Sequence, residues 1–257
     1  MSIPKIIHYC WFGRNEKPAI IKKCIKSWKK YCPDYQIIEW NEDNFDVNSV
    51  PFCQQAYEAK QWAFVSDYVR LKVLLDYGGI YMDTDVELIR SIDAMLPLGC
   101  FIGFQHEQFV SNGLIVGAEP HNAFIQENAS VYENLSFSNQ EDSYKLTVCQ
   151  EYTTNILQKY GLIVPDTGKI QIVNGVHVFP SEYFCPYDHR TFQMNKTKNT
   201  YAIHHFASSW WDEKRRKEYA VLKARVRLDR IIHTPNRLLR GVLGQERYSK
   251  IKSKFKK

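Results

Sequence analysis

Residues 67–87 read DYVRLKVLLDYGGIYMDTDVE and predict a helix, a glycine break, a short strand and two closely spaced aspartates. Apolar side chains occupy most of the helical circumference over residues 64–75, so we expect the domain to enclose this helix. Gly78 and Gly79 end the helix, because glycine readily adopts the left-handed backbone found at helix termini. Residues 80–82 then run extended into the acidic pair.

Four charged residues stand out against this apolar background. Asp67 and Arg70 are three residues apart, so they emerge on one side of a helix that otherwise carries few charges. The carboxylates of Asp83 and Asp85 repel each other and predict a cation between them, since Mg²⁺ and Mn²⁺ are often shared by carboxylates and substrate phosphates. A lone D-x-D pair also occurs in solvated acidic turns, so the pair needs support from its context.

Three stretches in the same order carry a family resemblance. They are Ser66, Asp67, Arg70, Gly78, Gly79, Tyr81, Asp83 and Asp85 around the acidic pair, KIIHYCWFG at residues 5–13, and HHFASSW at residues 204–210. Together they resemble the glycosyltransferases with a DxD sugar-binding region, a group that includes yeast Golgi initiating mannosyltransferases, bacterial capsular polysaccharide enzymes and the catalytic domains of large glucosylating toxins. The similarity spans residues 3–211, and three ordered motifs are more specific than one.

The resemblance implies an α/β fold of the GT-A type with a mixed central sheet. It also implies transfer of a hexose from a nucleoside diphosphate sugar to a saccharide acceptor, with retention of configuration and with Mn or Mg as the cofactor. UDP-sugars are the first expectation for the donor and GDP-mannose the second. The expected setting is surface polysaccharide assembly, where the acceptor is lipid-linked.

The roles implied for single residues follow the same motifs. The expected catalytic, donor-positioning residues are Asp67 and Arg70; the expected donor-binding residues are Trp11, Ser66, Tyr81, Asp83, Asn112 and Trp210; and the expected metal ligands are Asp85, His205 and Ser208. Trp11 follows the first predicted strand, where it either stacks on the nucleobase or is a core aromatic. Asn112 is equally well explained as a turn residue. His205 stands three residues before the serine, a position that carries a carboxylate in many toxin relatives.

The length and charge distribution predict one domain with an extension. We expect a single domain over residues 1–211, since no linker or repeat divides it, and a basic helical extension over residues 212–257. From residue 214 onward there are 16 Lys or Arg against 3 Asp or Glu, whereas the preceding residues are net acidic. Such a tail favours an anionic membrane surface, and the alternative is a helix docked on the domain. Nucleic acid is not an expected partner, because the tail lacks interleaved aromatics.

The remaining composition indicates the compartment. The seven cysteines are scattered without a C-x-x-C pair, which favours a reducing environment. No stretch is long and apolar enough for a membrane span, so we expect a cytoplasmic protein, peripheral on the cytoplasmic face of the membrane.

Among local elements, the pattern predicts helices over residues 52–60 and 62–77, short strands over 101–103 and 113–118, and a last strand over 201–204. His8 is expected to be a structural hydrogen-bonding group within the first strand.

Two other functions are compatible with parts of the pattern. Haloacid-type phosphohydrolases also place D-x-D after a hydrophobic strand, but they require Thr or Val where this chain has Glu87. A non-catalytic membrane- or nucleic-acid-binding adaptor, or an effector that glycosylates a protein, would keep the fold with another purpose. Metal-dependent hydrolysis of a nucleotide sugar distinguishes an enzyme from an adaptor.

Overall fold

The computed structural model describes residues 2–137, 149–189, 191–207, 214, 217–226 and 228. The strands are β1 Ile6–Cys10, β2 Gln36–Trp40, β3 Gly79–Met82, β4 Val86–Leu88, β5 Cys100–His106, β6 Phe109–Ala118, β7 Gln171–Val173, β8 Val176–Phe179, β9 Tyr187–Asp188, β10 Gln193–Met194 and β11 Ala202–His204. The helices are α1 Ala19–Tyr31, α2 Pro51–Glu58, α3 Trp62–Tyr77, α4 Ala123–Glu133, α5 Cys149–Lys159 and α6 Ser181–Phe184, with a 3₁₀ helix at Asp93–Leu98.

A mixed sheet forms the centre of the fold, with the strand order β2-β1-β3-β6-β5-β8-β7. Strand β1 pairs in parallel with both β2 and β3, while β6 runs antiparallel to β3 and β5. Because β1 and β3 are parallel, the residues that follow them lie at the same edge of the sheet, where α/β proteins bind ligands. The predicted α/β class with a mixed central sheet is confirmed.

Helix α3 lies against this sheet and is enclosed, as its sequence predicts. Val65, Val69 and Leu74 are fully buried, and Asp67 and Arg70 are buried on the same helix. The helix ends at Gly78, whose φ of 63° lies in the left-handed region. A charged pair in such surroundings needs partners within the protein, and these are described below.

The side chain of His8, on strand β1, is hydrogen-bonded to strand β2 and to the end of helix α3. Its Nδ1 accepts a hydrogen bond from Trp40 Nε1 at 3.0 Å, and its Nε2 donates to the Gly78 carbonyl at 2.8 Å. A Cβ atom on Gly79 would lie 2.8 Å from the Ile6 carbonyl oxygen, so only glycine fits this approach. The structural role predicted for His8 is confirmed by its two hydrogen bonds, which connect β1 to β2 and to the end of α3.

The chain consists of two compact units. One comprises residues 1–188 and 194–210, and the other residues 189–193 and 211–257. In the second unit residues 217–226 are helical, and Val221, Leu222 and Leu228 are 68%, 50% and 57% exposed. No helix within the described residues is long and apolar enough to cross a membrane.

Candidate active site

Strand β3 ends directly before the two aspartates, and the pairing of two short strands brings a histidine to them. Strand β4 pairs antiparallel with β11, with His204 opposite Val86. As a result His204 Nε2 lies 3.1 Å from Asp85 Oδ1. One ligand atom from each of Asp83, Asp85 and His204 lies within 4.8 Å of the other two. The sheet edge therefore carries a cluster of two carboxylates and an imidazole.

The electrostatics of this cluster are those of a buried ion pair. Burial acts to raise the pKa of Asp85, but the charge and hydrogen bond of His204 and the backbone N–H of Ala207 outweigh it, so the pKa lies below its ordinary value. Burial likewise acts to lower the pKa of His204, and Asp85 outweighs it and raises the pKa well above its ordinary value. Asp85 and His204 therefore each stabilise the charged form of the other.

The neighbouring histidine faces a different partner. His205 Nε2 lies 2.8 Å from Glu87 Oε2, which also accepts a hydrogen bond from Lys23 Nζ at 2.8 Å. Adjacent residues on an extended chain point to opposite sides, so only one member of the tandem pair can face Asp85. The structure brings His204 to the acidic cluster, whereas the sequence analysis assigned His205.

The backbone after β11 also reaches the acidic cluster. The N–H of Ala207 donates to Asp85 Oδ2 at 2.7 Å, and the N–H of His205 donates to the Asp85 carbonyl at 3.1 Å. The closing motif and the D-x-D pair are therefore neighbours. Ser208 and Trp210, which were predicted as a metal ligand and a donor contact, lie outside the described residues.

Arg70 is the centre of a second, adjoining cluster. Its Nη1 lies 2.9 Å from Asp67 Oδ1, and its Nη2 lies 3.3 Å from Asp83 Oδ1. Nη1 also donates to Asn112 Oδ1 at 3.0 Å and to Cys149 Sγ at 3.5 Å. Because Asp83 belongs to both clusters, Arg70 is coupled directly to the acidic strand end.

Burial and neighbouring charges shift the carboxylates of this cluster. Burial raises the pKa of Asp67 to about 6, with Arg70 opposing the shift and Asp83 adding to it. Burial and the nearby Asp85 raise the pKa of Asp83, and Arg70 opposes them. The guanidinium therefore offsets only part of the desolvation, and the site favours additional positive charge.

Tyr81 and Ser66 lie beside the clusters with their hydroxyls already bonded. Tyr81 Oη donates to Asp83 Oδ1 at 2.9 Å, and the Arg70 guanidinium lies 5.0 Å from the centre of the Tyr81 ring. Ser66 Oγ donates to the Trp62 carbonyl at 2.9 Å within its own helix. Tyr81 thus orients Asp83, and Ser66 is bonded to the backbone.

Asn112 is buried and uses both of its side-chain polar atoms within the protein. Its Oδ1 accepts from Arg70, and its Nδ2 donates to Thr153 Oγ1 at 3.0 Å. Thr153 in turn donates to Asn128 Oδ1 at 2.9 Å. The sequence analysis did not single out Thr153, Asn128 or Cys149, because isolated Thr, Asn and Cys residues on amphipathic helices carry no motif.

Trp11 lies at the same sheet edge, directly after β1. Its ring is partly exposed, its Nε1 donates to the Asn15 carbonyl at 2.7 Å, and Lys17 Nζ lies 5.4 Å from the ring centre. Glu42, in the loop after β2, accepts a hydrogen bond from the Gly13 N–H at 2.7 Å. The aromatic ring and the polar loop are therefore held together at the ends of neighbouring parallel strands.

The residues of the acidic cluster fit a divalent cation. Two carboxylates and one imidazole nitrogen form a set of ligands that suits Mn²⁺. The two carboxylates also suit Mg²⁺, which prefers oxygen ligands. His204 Nδ1 is buried without a hydrogen-bond partner among the described residues, so Nε2, the nitrogen facing Asp85, is the one placed to bind.

Comparisons with known proteins match the segment of the chain that carries the acidic pair. Residues 18–102 match the family described as the glycosyltransferase sugar-binding region containing the DXD motif. The chain is 30% identical to inositol phosphoceramide mannosyltransferase 3 of Schizosaccharomyces pombe, over 49% of this chain and 36% of that protein. It is 24% identical to the uncharacterized glycosyltransferase L373 of Acanthamoeba polyphaga mimivirus, over 81% of this chain and 84% of that protein.

Among solved structures, the PaToxG glycosyltransferase is similar, with a TM-score of 0.49 and 20% identity over 62% of this chain and 70% of that one. The chain spans about a third of the length of the fission-yeast mannosyltransferase. The family match contains helix α3, strand β3 and the acidic pair that the site is built on. Residues 18–102 of this chain are thus similar to the glycosyltransferase sugar-binding regions that contain the DXD motif.

Proposed function

We propose that the protein is a metal-dependent glycosyltransferase that moves a hexose from a nucleoside diphosphate sugar to a saccharide acceptor. The observation that carries the proposal is the convergence of Asp83, Asp85 and His204 at one strand end, directly beside Arg70. Such a site combines ligands for a cation with a buried guanidinium, and both features suit a diphosphate leaving group.

Asp83, Asp85 and His204 would hold a Mn or Mg ion, which supplies Lewis-acid stabilisation to the departing diphosphate. Ser208 and Trp210 are proposed to complete the metal site and the diphosphate contact, because the backbone of Ala207 already reaches Asp85. The placement of His204 supports it as the histidine ligand in place of His205.

Asp67 and Arg70 are proposed to orient the donor sugar. Their carboxylate and guanidinium offer acceptors and donors for sugar hydroxyls, and their mutual ion pair fixes both groups. Tyr81 supports the arrangement by bonding Asp83. Asn112 acts on the donor through Arg70, since its own polar atoms are occupied.

Trp11 is proposed to stack on the nucleobase, and the position of its ring after β1 supports that role. We propose retention of configuration, with the acceptor attacking from the face that the diphosphate leaves. The leaving phosphate can then take the acceptor proton, so the site needs no separate general base.

UDP-sugars and GDP-mannose are the two proposed donor classes. The fission-yeast relative is named as a mannosyltransferase of inositol phosphoceramide, which supports including a mannose donor and a lipid-linked acceptor in the tests. Surface polysaccharide assembly at the cytoplasmic face of a membrane would supply an acceptor of this kind.

The proposed membrane contact lies in the basic extension. The exposed apolar residues Val221, Leu222 and Leu228, in a segment rich in Lys and Arg, support a helix that lies on an anionic leaflet. We expect the protein to co-sediment with vesicles containing phosphatidylserine, and expect this binding to fall at high salt or after deletion of residues 212–257. Unchanged sedimentation of the truncated protein would contradict the contact.

The function itself is tested with nucleotide sugars. A true donor in the presence of Mn²⁺ raises the melting temperature by mass action, so a panel of UDP- and GDP-sugars identifies the donor class. Donor hydrolysis is then measured for the wild type and for folded Asp67→Ala. Wild-type turnover by Asp67→Ala would remove Asp67 from the site, and the absence of both stabilisation and hydrolysis across the panel would contradict the proposed function.

A further inference from the structure

A chain of hydrogen bonds between buried side chains leads from helix α4 to Arg70. Asn128 Nδ2 donates to the Phe124 carbonyl at 2.8 Å, and Thr153 Oγ1 donates to Asn128 Oδ1 at 2.9 Å. Asn112 Nδ2 donates to Thr153 Oγ1 at 3.0 Å, and Arg70 Nη1 donates to Asn112 Oδ1 at 3.0 Å. The four side chains are 2%, 0%, 1% and 4% exposed, in the order Asn128, Thr153, Asn112, Arg70.

The direction of every bond in this chain is fixed by Arg70. A guanidinium can only donate, so Asn112 must turn its oxygen toward Arg70 and its nitrogen toward Thr153. The Thr153 oxygen then accepts, and its single hydrogen goes to Asn128 Oδ1. Asn128 must turn its nitrogen to the Phe124 carbonyl. All four hydrogen bonds of the chain can form together in this one arrangement only.

The backbone of strand β6 at Gly113 lies close to the Arg70 guanidinium. A Cβ atom on Gly113 would lie 2.8 Å from both Arg70 Nη1 and Asp83 Oδ2. Arg70 is therefore confined between strand β6 and its own partners, and a small movement of Asn112 must displace it. The guanidinium should shift when one supporting hydrogen bond is lost, because no water molecule can reach the buried site to replace that bond.

We propose that Thr153 and Asn128 are positioning residues for Arg70, which act through Asn112 on the geometry of the donor site. The inference rests on the proposed function, in which Arg70, Asp67 and Asp83 hold the donor. Among the described residues neither side chain is hydrogen-bonded to Asp83, Asp85 or His204, so the chain of hydrogen bonds through Asn112 is their route to the donor site.

Helix α5 offers a matched control beside Thr153. Thr154 is also buried, at 3% exposure, but its Oγ1 accepts from the Val110 N–H at 3.0 Å and donates to the Gln150 carbonyl at 2.7 Å. Thr154→Val removes a buried hydroxyl of the same kind from the same helix. Unlike Thr153→Val, it leaves the chain to Arg70 intact, although it removes the acceptor of the Val110 N–H.

The test measures hydrolysis of UDP-glucose and GDP-mannose with Mn²⁺ for the wild type, Thr153→Val, Thr153→Ser and Thr154→Val. We expect Thr153→Val to lower kcat/KM about 10- to 100-fold, as removal of an outer supporting bond commonly does. Thr153→Ser restores the hydroxyl and should recover most of the loss, while Thr154→Val should remain close to the wild type. Asn128→Leu should act in the same direction as Thr153→Val, and the two together should cost little more than Thr153→Val alone.

A second readout does not depend on the donor. The guanidinium hydrogens of Arg70, observed by nitrogen-15 NMR and assigned by through-bond correlation, should exchange slowly in the wild type and in Thr154→Val. They should exchange faster in Thr153→Val and again slowly in Thr153→Ser. If the wild type hydrolyses neither sugar, the proposed function fails and this measurement still decides the positioning role. Equal effects of Thr153→Val and Thr154→Val, or no recovery in Thr153→Ser, would overturn the inference.

Discussion

The guanidinium of Arg70 and the carboxylate of Asp83 lie 3.3 Å apart, which joins the buried face of helix α3 to the acidic end of strand β3. The two residues are brought together by the Gly78–Gly79 break, because the chain must reverse there to lay β3 beside the helix that precedes it. Asp83 is also a member of the acidic cluster with Asp85 and His204. A substitution of Arg70 should therefore also change the position of Asp83 in the proposed cation site.

Arg70→Lys tests this coupling while keeping the charge. A lysine ammonium has no planar fork and cannot bridge Asp67, Asp83 and Asn112 together. We expect donor hydrolysis to fall about 100-fold, and the free energy of unfolding to fall by about 3 kcal/mol, since buried acceptors lose a partner. Hydrolysis assays and urea titration measure the two effects.

Arg90→Lys is the control for that substitution. The Arg90 guanidinium also lies over a tyrosine ring, 4.8 Å from the centre of Tyr201, and among the described residues it is not ion-paired with Asp83 or Asp85. If Arg90→Lys and Arg70→Lys lower hydrolysis equally, the Arg70–Asp83 contact has no special part in the site.

Substitution of each of the two adjacent histidines tests which of them binds the cation. The structure indicates His204, whereas the sequence motif indicates His205. His204→Gln removes the imidazole beside Asp85, so the rise in melting temperature with Mn²⁺ should be largely lost. His205→Gln removes a partner of Glu87 and should keep that rise. The opposite result would return the ligand role to His205, as the family resemblance implied.

The helix, the glycine break and the acidic strand end were predictable because their signals are local. Helix α3 has the bounds predicted from its apolar periodicity, residues 62–77, and β3 follows the two glycines as expected. The D-x-D pair, Asp67 and Arg70 meet because short-range geometry places them on neighbouring elements. A pattern of this kind needs no knowledge of the rest of the chain.

The partners of those residues were less predictable because they depend on long-range register. Which histidine faces Asp85 is decided by the pairing of β4 with β11. The strands predicted at residues 101–103 and 113–118 are parts of a longer hairpin, β5 with β6, whose register shifts beside Gly103. Thr153 and Asn128 join Arg70 only because helix α5 packs against β6 and helix α4 packs against α3 and α5, and no spacing in the sequence marks this.

Gly113→Ala should disturb the site by a steric clash. The added methyl would lie 2.8 Å from Arg70 Nη1 and Asp83 Oδ2, which is too close, so one of them must move. We expect the unfolding free energy to fall by about 1–3 kcal/mol and donor hydrolysis to fall with it. Gly103→Ala, whose methyl would meet the Phe184 ring at 2.6 Å, controls for overpacking of the sheet. Wild-type hydrolysis in folded Gly113→Ala would show that the Arg70–Asp83 distance is not critical.

His8 should make the stability of the fold depend on pH below neutrality. Burial lowers the pKa of His8 to about 4, and the Gly78 carbonyl only partly opposes this. Because the folded pKa lies below the unfolded value of about 6.5, the unfolded chain binds more protons between these limits. The contribution is therefore fully present above pH 6.5 and is lost as the pH falls toward 4, by about 3 kcal/mol in all.

The hydrogen bond from Trp40 acts in the same direction as burial, since a protonated Nδ1 can no longer accept it. Denaturant unfolding of the wild type and His8→Gln between pH 7 and pH 4 measures the difference. Glutamine does not titrate in this range, so the variant should start from a lower stability and lose less of it on acidification. Parallel pH profiles for the two proteins would show that other groups, and not His8, govern the acid sensitivity of the β1–β3 junction.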